Sequence, residues 1–106
     1  MTKKRVVVTG MGIVSCFGND VDSFYQALLE GKSGVVPIKT FPCQDFPTRF
    51  AATVPDFDVG NYLDKKQARR VDPFIRYTVV AGKKALENGK VSLDTLDKSR
   101  CGIIIG

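Results

Sequence analysis

Three groups of residues in this chain could do chemistry: the glycines Gly10, Gly12 and Gly18, the cysteines Cys16, Cys43 and Cys101, and a run of cations, Lys65, Lys66, Arg69 and Arg70. The glycines belong to "VVVTGMGIVSCFGND", residues 6–20, where β-branched residues run into a glycine-punctuated turn, the local grammar of a phosphate cradle. A dinucleotide site needs G-x-G-x-x-G opening directly into a helix, so that the third glycine permits close packing and the helix amides face the pyrophosphate. Here Ser15 holds the third position, Gly18 comes three residues late, and the helical pattern starts near Val21. Glu30 is the candidate for the acidic residue that would hold a ribose hydroxyl, and the P-loop spacing is absent as well. Gly10 and Gly12 read instead as a sharp turn at a strand end that lets the backbone pack closely under another element.

The cysteines number three and histidine is absent, so a zinc site built from Cys and His and a Cys–His nucleophile pair are both excluded within this chain. Free cysteine behaves as a small hydrophobe, and the three thiols are expected reduced and mostly buried. Along "DKKQARRVD", Lys66, Arg69 and Arg70 stand at i, i+3 and i+4, with Lys65 beside them, which places them on one side of a helix. Spacing alone leaves two readings, a solvated face or an electrostatic landing patch for an acidic partner. The net charge of +5 favours an acidic partner without saying which. Nucleic acid fits poorly, because no exposed aromatics interleave with the cations and Asp64 and Asp72 bracket them, repelling a phosphate backbone. An acidic protein surface fits better.

These side chains need elements to position them. Val6 to Thr9 are apolar without alternation, as in a strand covered on both faces. Asp20 caps a helix in which Val21, Phe24, Tyr25, Leu28 and Leu29 form one apolar face and Gly31 closes the end. From Ser33 to Asp58 the pattern dissolves into an irregular stretch with four prolines and four phenylalanine anchors, with room for a short strand across Arg49 to Val54. Connections this long tend to be functional or to pack on neighbouring parts. Asp64 caps the basic helix "KKQARRV", and Asp72-Pro73 restarts the chain as cap plus first-turn proline. The following helix, "PFIRYTVVAGKKALENG", is apolar round most of its circumference and charged only along Arg76, Lys83, Lys84 and Glu87. Such a helix is expected to be buried, with neighbours on more than one face. "CGIIIG" reads as a central strand.

At 106 residues the chain is long enough for one domain, and 43% hydrophobic with 25% charged residues argues against disorder and against a membrane class. No run approaches the ~20 apolar residues of a spanning helix. "MTKKR" leads into a strand-like run and not into the apolar stretch and cleavage site of a secretory signal, so a cytosolic-type compartment is the expectation. The apolar helix and the two strands ask for more partners than 106 residues supply, and the chain is expected to be the N-terminal piece of a larger protein.

Set in order, "KKRVVVTGMGIVSCFGNDVDSFYQALLEGKSGV", "FPTRFAATVPDF", "KKQARRVDPFIRYTVVAGKKALENG" and "KSRCGIIIG" resemble the start of a β-ketoacyl-[acyl-carrier-protein] synthase of the type II elongating kind, over essentially all 106 residues. The resemblance implies an α/β thiolase-like fold of two duplicated halves, with a mixed, mainly parallel central sheet and helices on both faces. Residues 1–106 would be the N-terminal part of the first half, incomplete on its own. It also implies a homodimer, and a decarboxylating Claisen condensation that extends an acyl chain with malonyl units carried on acyl carrier protein. The cysteine nucleophile and two histidines that such enzymes use fall after this region. None of Cys16, Cys43 and Cys101 is in the nucleophile's motif position, so the piece alone is expected to be inactive. No nucleotide, redox cofactor, metal, nucleic acid or membrane is implied. By position, Lys66, Arg69 and Arg70, with Lys65 beside them, match the basic helix that receives the acidic recognition helix of acyl carrier protein. Bacterial cytoplasm and plastid stroma both suit such an enzyme. Two other classes stay open: a non-catalytic condensing-enzyme homologue serving as a chain-length or carrier-binding partner, and a nucleotide-dependent oxidoreductase.

Overall fold

A computed structural model describes residues 2–106. Asp20 has extended backbone, and its carboxylate accepts from the Ser23 amide at 2.9 Å and the Ser23 hydroxyl at 2.7 Å, which starts helix α1, Val21–Leu29. The helix ends in paired reverse bonds, Gly31 N–H to the Leu28 carbonyl and Lys32 N–H to the Ala27 carbonyl, with Gly31 at φ 67°. A residue without Cβ adopts that left-handed turn at no steric cost. The irregular stretch that follows carries one small sheet, β1 (Val36–Pro37) antiparallel to β2 (Phe50–Ala51), with Val36 opposite Ala51 and Pro37 opposite Phe50. The strand expected across Arg49 to Val54 thus shortens to two residues.

The basic helix is also shorter than its pattern predicts. α2 spans Lys65–Ala68, one turn capped by the Asp64 carboxylate on the Gln67 amide at 3.2 Å. It cannot run on to Val71, because Asp72 precedes a proline and is held in extended backbone (φ −64°, ψ 153°), so the chain must leave the helix before it. The Arg70 amide closes the turn on the Gln67 carbonyl at 2.9 Å. α3, Pro73–Asn88, then opens with Pro73 in its first turn, although the Asp72 side chain makes no capping bond.

Packing centres on α3. Val80 is fully buried against Val59 and Ala68, with Phe57, Tyr62 and Leu63 around them. Phe57 meets Tyr77 edge to face, ring centroids 4.8 Å apart. On another side of α3 lies the glycine turn. A Cβ added at Gly12 would fall 2.9 Å from the Ala85 nitrogen and collide with the Ala81 carbonyl; one added at Gly10 would fall 2.6 Å from the Gly89 nitrogen. The glycines therefore seat backbone on backbone, as the sequence led us to expect. The Met11 amide donates to the Asn88 side chain at 3.0 Å, and Lys84 Nζ donates to the Asn19 carbonyl at 2.8 Å and its Oδ1 at 3.1 Å.

Burial stops well short of what the apolar pattern asked for. Val80 is the one buried residue of α3, and Phe74 is exposed. Val6–Thr9 and Ile103–Ile105 join no ladder among the described residues, with Val6 91% and Ile104 98% exposed. A strand exists only through a neighbour that takes up its amides and carbonyls, and neither run has one here. The mainly parallel central sheet is accordingly not assembled among the described residues. The radius of gyration is 17.5 Å, against about 13 Å for a compact domain of 100 residues.

Candidate functional site

The basic run rides on the shortest α-helix among the described residues. Asp64 fixes where the turn begins, and Ala68, buried against the Val59–Val80 cluster, pins its inner side to α3. That anchoring leaves Lys65, Lys66, Arg69 and Arg70 all exposed. Lys65 and Lys66 lie within α2. Arg69 is its C-cap with helical backbone (φ −74°, ψ −18°), and Arg70 lies in the turn beyond. The structure thus brings the four predicted residues together, on one turn and its exit rather than along two turns of helix.

None of these four cations is in an ion pair among the described residues. Among the described residues the one ion pair joins Lys32 to Glu30 at 2.7 Å, and none of the four cations donates a side-chain hydrogen bond. Like charges three and four residues apart repel on an isolated helix. An approaching acidic surface adds an attraction that offsets this repulsion and favours encounter rate and orientation.

Two of the four cations also edge a depression. Lys65 and Arg69 line it together with Arg76 of α3 and with Asp56, Phe57 and Asp58 of the preceding loop. Lys66 and Arg70 are not part of its lining. The half-buried Arg76 has its Nε shielded from solvent with no acceptor. Sequence periodicity marked Arg76 only as part of the charged line of α3. Its position seven residues after Arg69, across the helix break at Asp72-Pro73, gave no sign that the two line one depression. The rest of that line serves packing: Lys83 Nζ donates to the Tyr62 carbonyl at 2.5 Å, and Glu87 accepts the Tyr62 hydroxyl at 2.6 Å, which raises the tyrosine pKa above its ordinary value.

The opening turn does not form a cradle. Its backbone faces α3, and the N-terminus of α1, where a phosphate would sit, holds the Asp20 carboxylate with Asp22 in the first turn. Hydrogen bonds from the Ser23 side chain and amide hold the Asp20 carboxyl below its usual pKa, so that end carries negative charge where a pyrophosphate would need to approach. The cysteines depart from expectation. Cys16 and Cys43 are half-buried and Cys101 is exposed. Cys16 packs against Gly34, where an added Cβ would fall 3.0 Å from its own Cβ. Cys101 lies in the last apolar run, which nothing described covers.

The sequence model described as "Beta-ketoacyl synthase, N-terminal domain" matches residues 3–106. The chain belongs to the β-ketoacyl synthase family. It is 49% identical over 107 residues to the chloroplastic 3-oxoacyl-[acyl-carrier-protein] synthase I of Arabidopsis thaliana, which covers 98% of this chain and 23% of that protein. It is 48% identical over 106 residues to 3-oxoacyl-[acyl-carrier-protein] synthase 2 of Vibrio harveyi, across 100% of this chain and 26% of that one. Among solved structures, the ishigamide ketosynthase/chain length factor superposes with a TM-score of 0.76 at 30% identity, over 90% of this chain and 24% of that chain. The chain spans about a quarter of the length of these relatives. As a member of the β-ketoacyl synthase family it carries the N-terminal portion of a thiolase-like α/β fold, which accounts for apolar segments that this portion alone leaves open. No described helix is long and apolar enough to cross a membrane.

Proposed function

We propose that residues 1–106 form the N-terminal part of the first thiolase-like half of a β-ketoacyl-[acyl-carrier-protein] synthase of type II fatty acid biosynthesis, and that Lys65, Lys66, Arg69 and Arg70 receive acyl carrier protein. The observation that carries the docking reading is the set of four exposed cations on one core-anchored turn, none of them in an ion pair among the described residues. Family membership supplies the reaction: an acyl group held on a cysteine is attacked by the carbanion that malonyl-[acyl-carrier-protein] yields on losing carbon dioxide. The sulfur and the histidines belong to parts of the enzyme outside this chain, so residues 1–106 supply scaffold and carrier recognition without catalysing the condensation. The working enzyme is a homodimer in bacterial cytoplasm or plastid stroma.

In the full-length enzyme, reversing the charge at Arg69 and Arg70 raises the apparent KM for carrier-bound substrate by about tenfold, and a small-molecule thioester is turned over nearly as before. Equal losses on both substrates contradict the docking role. Similarity to the ishigamide ketosynthase/chain length factor favours a second reading, a non-catalytic homologue that binds carrier. The two readings separate on whether the full-length protein forms an acyl-cysteine.

A further inference from the structure

Arg76 lines the depression beside the basic face, and its Nε is the one shielded side-chain nitrogen without a hydrogen-bond partner among the described residues. Lys83, Lys84 and Glu87, its companions on the charged line of α3, all have partners within the chain. A guanidinium nitrogen shielded from water without an acceptor loses hydration and gains nothing in return. A group that enters the depression meets the part of Arg76 that lines it, and a shift of the side chain then lets Nε take an acceptor. The depression on which Arg76 opens also takes in Lys65 and Arg69, against Asp56 and Asp58, and no ion pair forms between these groups. Asp58 Oδ1 already accepts the Gly60 amide at 2.9 Å, which holds that side chain to its own loop.

We propose that this depression is a carboxylate subsite of the docking face: a single acidic side chain of the carrier's recognition helix enters it and accepts from Arg76, flanked by Lys65 and Arg69. The inference rests on the docking reading above and sharpens it, since Lys66 and Arg70 stand outside the depression and act only as long-range charge. A planar fork aimed at a carboxylate contributes direction as well as charge, which an exposed lysine does not. The lining carries three cations and two carboxylates, and Asp56 opposes the incoming group.

The test uses the full-length enzyme and labelled acyl carrier protein, with binding followed by fluorescence anisotropy. The carrier is used both before and after attachment of its phosphate-bearing prosthetic arm. Arg76→Met, which keeps the aliphatic stem, weakens binding about tenfold to both forms of the carrier. Arg76→Lys recovers part of the loss, and Asp56→Asn tightens binding about two- to threefold. A structural role for Arg76 alone would lower the melting temperature of Arg76→Met and leave all three affinities unmoved, and that outcome overturns the subsite. A loss confined to the carrier bearing its arm makes phosphate the occupant and also overturns it. Lys66→Glu with Arg70→Glu is the control: if this pair weakens binding while the Arg76 and Asp56 variants do not, the subsite falls and the docking face stands. If the pair too is without effect, the docking reading itself falls. Should Arg76→Met fail to fold, Arg76→Lys and Asp56→Asn still decide the matter.

Discussion

Lys90 occupies the left-handed region at φ 54°, just past the end of α3. Its amide and that of Val91 bond back to the Glu87 and Leu86 carbonyls, each at 3.0 Å, a helix ending that usually places glycine where Lys90 stands. The glycine is one residue early because Gly89 is needed elsewhere: a Cβ on it would press to 3.0 Å on the Thr9 carbonyl. Lys90→Gly should therefore stabilise the protein by roughly 0.5–1 kcal/mol, the left-handed penalty less the extra chain entropy of glycine, as read by denaturant unfolding. Asp20 offers a pH test. Its carboxyl is held below the ordinary value, first by the Ser23 hydroxyl, so its contribution is complete above roughly pH 4–5 and fades as pH falls through the lowered value. The melting temperature of Asp20→Asn, which still caps but does not titrate, should fall less steeply below that range than that of the parent. Gly10 and Gly12 were legible as close-packing glycines because the failed fingerprint left no other use for them. Arg76 was not legible, since its significance lies in lining one depression with residues of the helix before Asp72-Pro73.

Helices were readable where a cap and a period agreed. Asp20 with the apolar face of α1, and Asp72-Pro73 with the long pattern of α3, set both starts correctly. α2 was overextended, because its charges continue at helical spacing past Ala68, while the proline at 73 keeps Asp72 out of helical backbone and the chain leaves the helix before it. One turn with a single side-chain cap is marginal by itself, so the basic turn depends on Asp64 and on Ala68 beneath it. Asp64→Ala in the full-length enzyme removes the cap without touching a cation and should cost about 1 kcal/mol. It should weaken carrier binding by less than the charge reversals do, with no change in salt dependence. A larger loss than from Arg69 and Arg70 reversal would mean that the turn's shape, and not its charge, does the recognising.

Across the whole molecule, Val6–Thr9 and Ile103–Ile105 show why the sheet could be named from composition but not built from it. An unbroken apolar run announces that it wants cover, while the residues that provide the cover lie elsewhere. Residues 1–106 expressed alone should bind a hydrophobic dye strongly and unfold over a broad range, where the full-length enzyme should do neither; a sharp two-state transition of the short piece would contradict the shared-interior account. The lysines have a further consequence. Lys84 holds two oxygens of Asn19, and Lys83 a backbone carbonyl, whereas the amines of Lys65 and Lys66 hold nothing among the described residues. Acylating and crosslinking reagents thus reach Lys65 and Lys66 more readily than Lys84, which becomes a built-in reference for how well a bound protein shields the other two.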